Sequence, residues 1–346
     1  MSTLHFSSST LEEDLSAVRT SSLINCILNA ICSFPATLGN GVILIAVWRT
    51  PALHSPSNTL LFGLALTDFL VGILTQPLIV ACSIIFLVEK EEGPIALSLA
   101  FDVLAVVLSA ASFTIATAIS IDRYLAFHLH MRYQAIVTNK KIVVIIALCW
   151  FSSSLLVVIW TQNTTAYYVI GITSFIISIV IIVLMYFKIF RIVRRHQAQI
   201  QSQAPVGSAK ETSSHLQFAR FTKSAVNTFY VCFILFFCFF PYFCTAGLIQ
   251  VTGSSLTKNI ALQYTGTIAF INSSLNPIVY FWRLPEIRKA IKKTLKCCYH
   301  RRVNKRQESK EEWSGFQQIE NSARSDFKQR SSIMIVRMRI LSSKAE

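Results

Sequence analysis

Long stretches without one charged side chain recur along this chain, and they leave it few ways to fold. Residues 20–48, 142–187, 224–257 and 259–282 hold no Asp, Glu, Lys or Arg, and two more apolar runs are each broken by a single acid, Asp68 and Asp102. At 1.5 Å per residue, the 29 residues of 93–121 make a helix of about 43 Å, longer than the ~30 Å hydrocarbon layer of a bilayer. The 46 residues of 142–187 are too many for one crossing, and Thr161-Gln162-Asn163-Thr164-Thr165 in their middle reads as a very short turn between two helices. The expectation is an all-α membrane protein, a seven-helix bundle with spans near 23–48, 58–88, 94–127, 141–160, 167–194, 218–249 and 259–282. Composition agrees: 14% of residues are charged, against about a quarter in a soluble domain.

Lysine and arginine set the orientation. With the N-terminus outside, the outer segments carry Arg19, Lys90 and Lys258, and the other 29 of the 32 basic residues fall inside or at the inner edge. The net charge of +15 is therefore juxtamembrane, and nucleic-acid binding is the wrong inference from it. The first 22 residues are polar and acidic (Glu12, Glu13, Asp14), so the first span is expected to act as its own insertion signal. None of the nine cysteines falls clearly in an outer loop, which suggests no extracellular disulfide framework.

Several polar residues stand where lipid would not tolerate them. Asn40 lies in span one, and Asp68 in span two must face the interior, either as a buried functional acid or as a protonated, hydrogen-bonded structural one. Asp122-Arg123-Tyr124 closes span three at the membrane-water boundary, where the pair reads equally well as a simple boundary salt pair. Pro241 should kink span six, and span seven ends in Asn272-Ser273-Ser274-Leu275-Asn276-Pro277-Ile278-Val279-Tyr280. Beyond it, Leu284, Ile287, Ile291 and Leu295 alternate with basic residues at helical spacing, an amphipathic helix on the inner leaflet with Cys297 and Cys298 placed for palmitoylation. Four regions follow: an outer N-terminus 1–22, the bundle 23–283, the amphipathic eighth helix 284–298 and a disordered cytoplasmic tail 299–346. Asn163-Thr164-Thr165 is an N-glycosylation sequon in an outer turn.

Taken in order on seven spans, Asn40, Asp68, Asp122-Arg123-Tyr124, Trp150, Tyr186, Pro241 and Asn276-Pro277-Ile278-Val279-Tyr280 resemble the rhodopsin-like (class A) G-protein-coupled receptors, over about residues 23–298. The family's outer disulfide has no counterpart, since Ser98 stands at its span-three position and the second outer loop lacks cysteine. With the six-residue loop and no span-five proline, these departures look most like melanocortin receptors, within the wider group of lysophospholipid, cannabinoid and adenosine receptors. Of the acid trio that melanocortin receptors use to hold calcium, only Asp102 is matched; Ser98 and Leu78 occupy the other places, and Glu89, Glu91 and Glu92 read as a solvated loop.

The resemblance implies three sites. A sodium pocket would use Asp68, Ser112, Asn272, Ser273 and Asn276, a hard-oxygen set; otherwise these form a hydrogen-bonded network. The ligand pocket would be lined by Gln76, Asp102, Val106, Trp160, Phe239, Tyr242, Phe243 and Phe270, suiting a peptide or lipid-like ligand. Ala105 and Phe270 stand where amine receptors and opsins keep their acid and lysine, which disfavours both classes. Coupling and switching would fall to Asp122, Arg123, Tyr124, Tyr186, Phe239 (the family's tryptophan), Pro241, Asn276, Pro277 and Tyr280. Phe221 takes the place of the acid that restrains the span-three arginine in many members, so ligand-independent signalling is expected. The implied protein is a multi-pass plasma-membrane receptor without a covalent cofactor. Its implied partners are a heterotrimeric G protein, arrestin and receptor kinases acting on the tail, and membrane lipids. A transporter or channel, or a membrane enzyme, are the alternatives, but no internal repeat and no metal or nucleophile motif supports them.

Overall fold

The computed structural model describes residues 2–89, 93–129, 132–202 and 209–297, with 305–307, 310, 313 and 316–317 beyond them; the side chains of 2–11, 196–221, 223 and 224 are outside the description. No strand occurs among these residues. Two compact units are present, Met1–Ile291 and Lys292–Glu346, and the bundle is the first of them.

In chain order the helices are α1 (Ser2–Phe34), α2 (Asn40–Arg49), α3 (Pro56–Leu70), α4 (Gln76–Glu89), α5 (Ile95–Leu129), the short α6 (Tyr133–Ile136), α7 (Asn139–Gln162), α8 (Thr164–Ser202), α9 (Ala209–Thr252) and α10 (Leu256–Arg283). A π-helical turn, Pro35–Gly39, joins α1 to α2 into one continuous span, and a second, Val71–Thr75, joins α3 to α4. Among the described residues, six stretches are long and apolar enough to cross a bilayer: Glu12–Arg49, Pro56–Glu89, Ile95–Leu129, Asn139–Gln162, Thr164–Arg195 and Ala225–Thr252. The seventh is α10, whose apolar average is lowered by Thr267, Asn272, Ser273, Ser274 and Asn276, all buried against the bundle. The result is the expected seven-helix bundle. Residues 285–297 are helical as well, and Ile287 and Ile291 are buried in the main core.

The first span begins earlier than hydropathy suggests. α1 runs from Ser2, so the stretch 2–22 read as an N-terminal extension is helical. A helix closes its own hydrogen bonds and need not stop where the lipid does, whereas an apolar window registers only the lipid-facing part. α6 was also not anticipated, being too short for any periodicity to show.

Small residues let the spans close up where the two π turns meet. A Cβ on Gly72 would lie 2.7 Å from the Thr37 backbone nitrogen and 2.8 Å from the Ala36 methyl, so the α1–α2 and α3–α4 spans touch backbone to backbone there. The main core combines Ile43, Leu60, Leu64, Ile115, Ile119 and Tyr280, and Trp150 of α7 packs against it. By contrast, Val143, Phe151 and Leu155 on the outer face of α7 are exposed, as a lipid-facing surface requires.

Candidate functional site

A cavity of about 620 Å³ opens in the half of the bundle away from Asp122, lined mainly by α5, α7, α8, α9 and α10. Asp102, Val106, Trp160, Phe239, Tyr242, Phe243 and Phe270 all line it. Gln76 does not: it is fully buried outside the lining. The π turn Val71–Thr75 directly precedes it and inserts an extra residue, which turns the following face by about 100°, a change no regular helical wheel anticipates.

The cavity floor is an aromatic cluster. Phe113 of α5 meets Phe175 of α8 at 5.1 Å and Phe239 of α9 at 4.4 Å, both edge-on, while Phe175 stacks on Phe243 at 4.3 Å. These rings all border the cavity and share one core cluster with Ala269 of α10. Phe239, expected as a switch residue, makes its contact ring against ring. Four residues past Phe237, Pro241 has no amide to give the Phe237 carbonyl, which relaxes α9 just above this cluster.

Below the floor lies a buried polar layer. Asp68, Ser112, Asn272, Ser273 and Asn276 are all buried, and the Asn276 amide donates to Asp68 Oδ2 at 2.6 Å. Asp68 Oδ1, Asn272 Oδ1 and Asn276 Oδ1 are buried acceptors without a partner. Unsatisfied oxygens of this kind fit a small hard cation. Among the described residues no three His, Cys, Asp or Glu side chains gather into a metal site. Pro277 frees the carbonyl of Ser273, and that carbonyl accepts the Asn40 amide at 3.0 Å. Asn40 also donates to the Ala36 carbonyl at 2.8 Å.

At the far end, Asp122 gathers three donors. Arg123 Nη2 reaches Asp122 Oδ2 at 2.7 Å, the Ser57 hydroxyl donates to the same oxygen at 2.7 Å, and the Tyr133 hydroxyl donates to Oδ1 at 2.5 Å. Burial, and then the nearby Asp122 carboxylate, raise the Tyr133 phenol above its ordinary range, so it stays a proton donor. Tyr124 stacks on His128 at 5.5 Å, and Tyr186 meets Phe229 edge-on at 5.0 Å. Nearby, Asn227 of α9 donates to the Arg283 carbonyl of α10 at 2.8 Å, and the Arg283 guanidinium lies 4.0 Å from the Tyr230 ring. Tyr280 is almost fully buried in the main core. Phe221, Glu91, Glu92 and Cys298 lie outside the described residues or side chains. Ser57, Tyr133 and Asn227 are partners that sequence reasoning missed.

A further polar ladder was also missed. Asn29 donates to Thr267 Oγ1 at 3.1 Å, Thr267 donates to Asn25 Oδ1 at 3.0 Å, and Ser21 donates to Gln263 at 3.3 Å, tying α1 to α10. Asn25, Gln263 and Thr267 border the cavity. The signal was available, since Ser21, Asn25, Asn29 and Ser33 recur every fourth residue inside an apolar window.

Seven helices around a cavity at one end, a buried acid at mid-depth and an Asp-Arg-Tyr cluster at the other end define a heptahelical membrane receptor. The chain belongs to the rhodopsin family of seven-transmembrane receptors, whose sequence model matches residues 39–167 and 159–280. Trace amine-associated receptor 1 of Mus musculus is 28% identical over 291 residues, covering 75% of this chain and 85% of that receptor. Melanocortin receptor 3 of Rattus norvegicus is 26% identical over 271 residues, covering 75% and 81%. The crystal structure of squid rhodopsin shares the fold, with a TM-score of 0.69 at 20% identity, over 81% of this chain and 87% of that one. Melanocortin-like relatives are thus found as expected, beside trace amine receptors that the motifs did not suggest. Family membership makes the protein a multi-pass cell-surface receptor that acts through G proteins, and not an enzyme.

Proposed function

We propose that this receptor sits in the plasma membrane with its N-terminus outside and answers a peptide or lipid-like ligand held in the 620 Å³ cavity. The observation that carries this reading is the Phe113–Phe175–Phe239–Phe243 cluster, which is cavity floor and interhelical contact at once. A ligand pressing on it favours one packing of α9 over another, and the Asp122 end of α9 meets the G protein. Asp68, Asn272, Ser273 and Asn276, with Ser112, would hold a sodium ion that neutralises the buried carboxylate and favours the resting packing. The absence of an acid at Phe221 supports measurable signalling without ligand. Arrestin and receptor kinases would engage the tail, the exposed Cys297 and its neighbour Cys298 would carry palmitate, and the exposed Asn163 would carry a glycan.

The test is G-protein nucleotide exchange in cells expressing the receptor, challenged with melanocortin peptides, lysophospholipids and endocannabinoids. A saturable response that Phe239→Ala weakens at unchanged surface expression supports the reading. A response untouched by substitutions around the cavity overturns it.

A further inference from the structure

Arg283 closes α10 at the Asp122 end of the bundle, and its charge is unanswered. The guanidinium carbon lies 4.0 Å from the centre of the Tyr230 ring of α9 and 4.3 Å from that of Trp282. No carboxylate pairs with it among the described residues, and its Nε is buried without a partner. Stacking occupies the faces of a guanidinium and leaves its edge of N–H donors open. A cation fixed in this way at the border of the hydrocarbon is costly without an anion.

The surface leading to it is aromatic. Tyr230, Phe233 and Phe237 recur along one face of α9, all three are exposed, and the rings of Phe233 and Phe237 lie 4.5 Å apart. Ile278 and Trp282, one turn apart on α10, are exposed as well. Exposed rings on a spanning helix meet lipid chains. An apolar track of about 10 Å therefore runs from the middle of α9 to a single cation.

We propose that the Arg283 edge holds the phosphodiester of an anionic phospholipid from the leaflet at that end, with one acyl chain laid along Tyr230, Phe233 and Phe237. A phosphodiester offers two acceptor oxygens to the paired donors of a guanidinium. A headgroup with no cation of its own leaves that negative charge whole for Arg283, which selects phosphatidylglycerol over phosphatidylcholine. The seat is built from two helices, and it is complete in the packing where Asn227 of α9 also bridges to the Arg283 carbonyl. It is separate from the ligand cavity, whose lining includes none of these residues.

Trp282 is a native reporter. Receptor in phosphatidylcholine nanodiscs is titrated with phosphatidylglycerol carrying brominated chains, which quench tryptophan on contact, and separately with brominated phosphatidylcholine; Trp282→Phe supplies the blank. The phosphatidylglycerol is expected to quench Trp282 at a lower mole fraction, by more than the roughly fivefold that one basic residue near an anionic surface supplies. Arg283→Gln should bring the two titrations together, and Arg283→Lys, a point charge without paired donors, should keep part of the difference. Tyr230→Leu keeps the charge, removes the ring and should also narrow the difference, whereas the exposed Lys289→Gln should leave it intact. Equal quenching by the two lipids in the wild type overturns the proposal. So does a preference that survives Arg283→Gln or is untouched by Tyr230→Leu, or the same quenching in Trp282→Phe. Soluble glycerol phosphate should not relieve the quenching; relief would mean that the site takes a free phosphate, and the lipid assignment would fall.

Discussion

Asn40 hands its side-chain amide to the Ser273 carbonyl, 3.0 Å away, the acceptor that Pro277 strips of its helical partner. The proline in one span and the asparagine in another are thus complementary: each supplies what the other leaves unsatisfied in a layer without water. The preceding residue completes the fit, since a Cβ on Gly39 would lie 2.7 Å from the Pro277 ring.

Removing either half should loosen the bundle. Asn40→Ala is expected to cost about 1–3 kcal/mol, because the freed carbonyl is buried. Gly39→Ala should destabilise comparably by forcing α2 away from α10. Both would appear as a fall of several degrees in the unfolding temperature of detergent-solubilised receptor, with a conservative Gly41→Ala as the milder comparison.

Sodium should restrain the receptor. Replacing potassium by sodium at constant ionic strength is expected to lower ligand-free nucleotide exchange in the wild type. Asp68→Asn keeps the shape of the layer but loses its charge, so it should erase that difference. A sodium response persisting in the variant would rule out this layer as the ion's seat.

Tyr133→Phe removes the hydroxyl that Asp122 accepts, together with its contact to the Ser57 hydroxyl at 3.1 Å. A hydrogen bond to a charged acceptor contributes about 1.5–3 kcal/mol, so loosening this anchor should raise basal exchange by roughly tenfold or more. Because its phenol pKa is raised, the bond is present below the ordinary tyrosine range and is lost only as pH climbs through the higher folded value. Basal exchange between pH 6 and 9 should therefore show no step that Tyr133→Phe abolishes.

Resting activity has two levers of opposite sign. Phe221→Glu supplies the missing acid and should lower the basal signal, whereas Asn227→Ala cuts the bond from α9 to the Arg283 carbonyl and should raise it. An exposed ion pair contributes up to about 1 kcal/mol, which bounds the first effect near fivefold. Exchange without ligand at matched surface expression checks both.

The spans were legible because charge-free windows longer than a bilayer have one solution, and the ordered set from Asn40 to Tyr280 marked which family's bundle they build. What stayed hidden depends on backbone detail or on tertiary partners. A π turn follows from how two spans press together at Gly72, and nothing in the local pattern of Val71–Thr75 announces it; Gln76 was misplaced for that reason. Ser57 and Tyr133 look like ordinary loop and turn residues until α5 brings Asp122 between them. Asp102, by contrast, was legible as a pocket residue and does line the cavity.

Gln162 ends α7 and Thr164 begins α8, so Asn163 alone joins them, its side chain spent on capping α8 through the Ala166 amide at 2.9 Å. One residue cannot arch across the mouth of the bundle. Ligand exchange through the mouth therefore waits on no lifting of this connection.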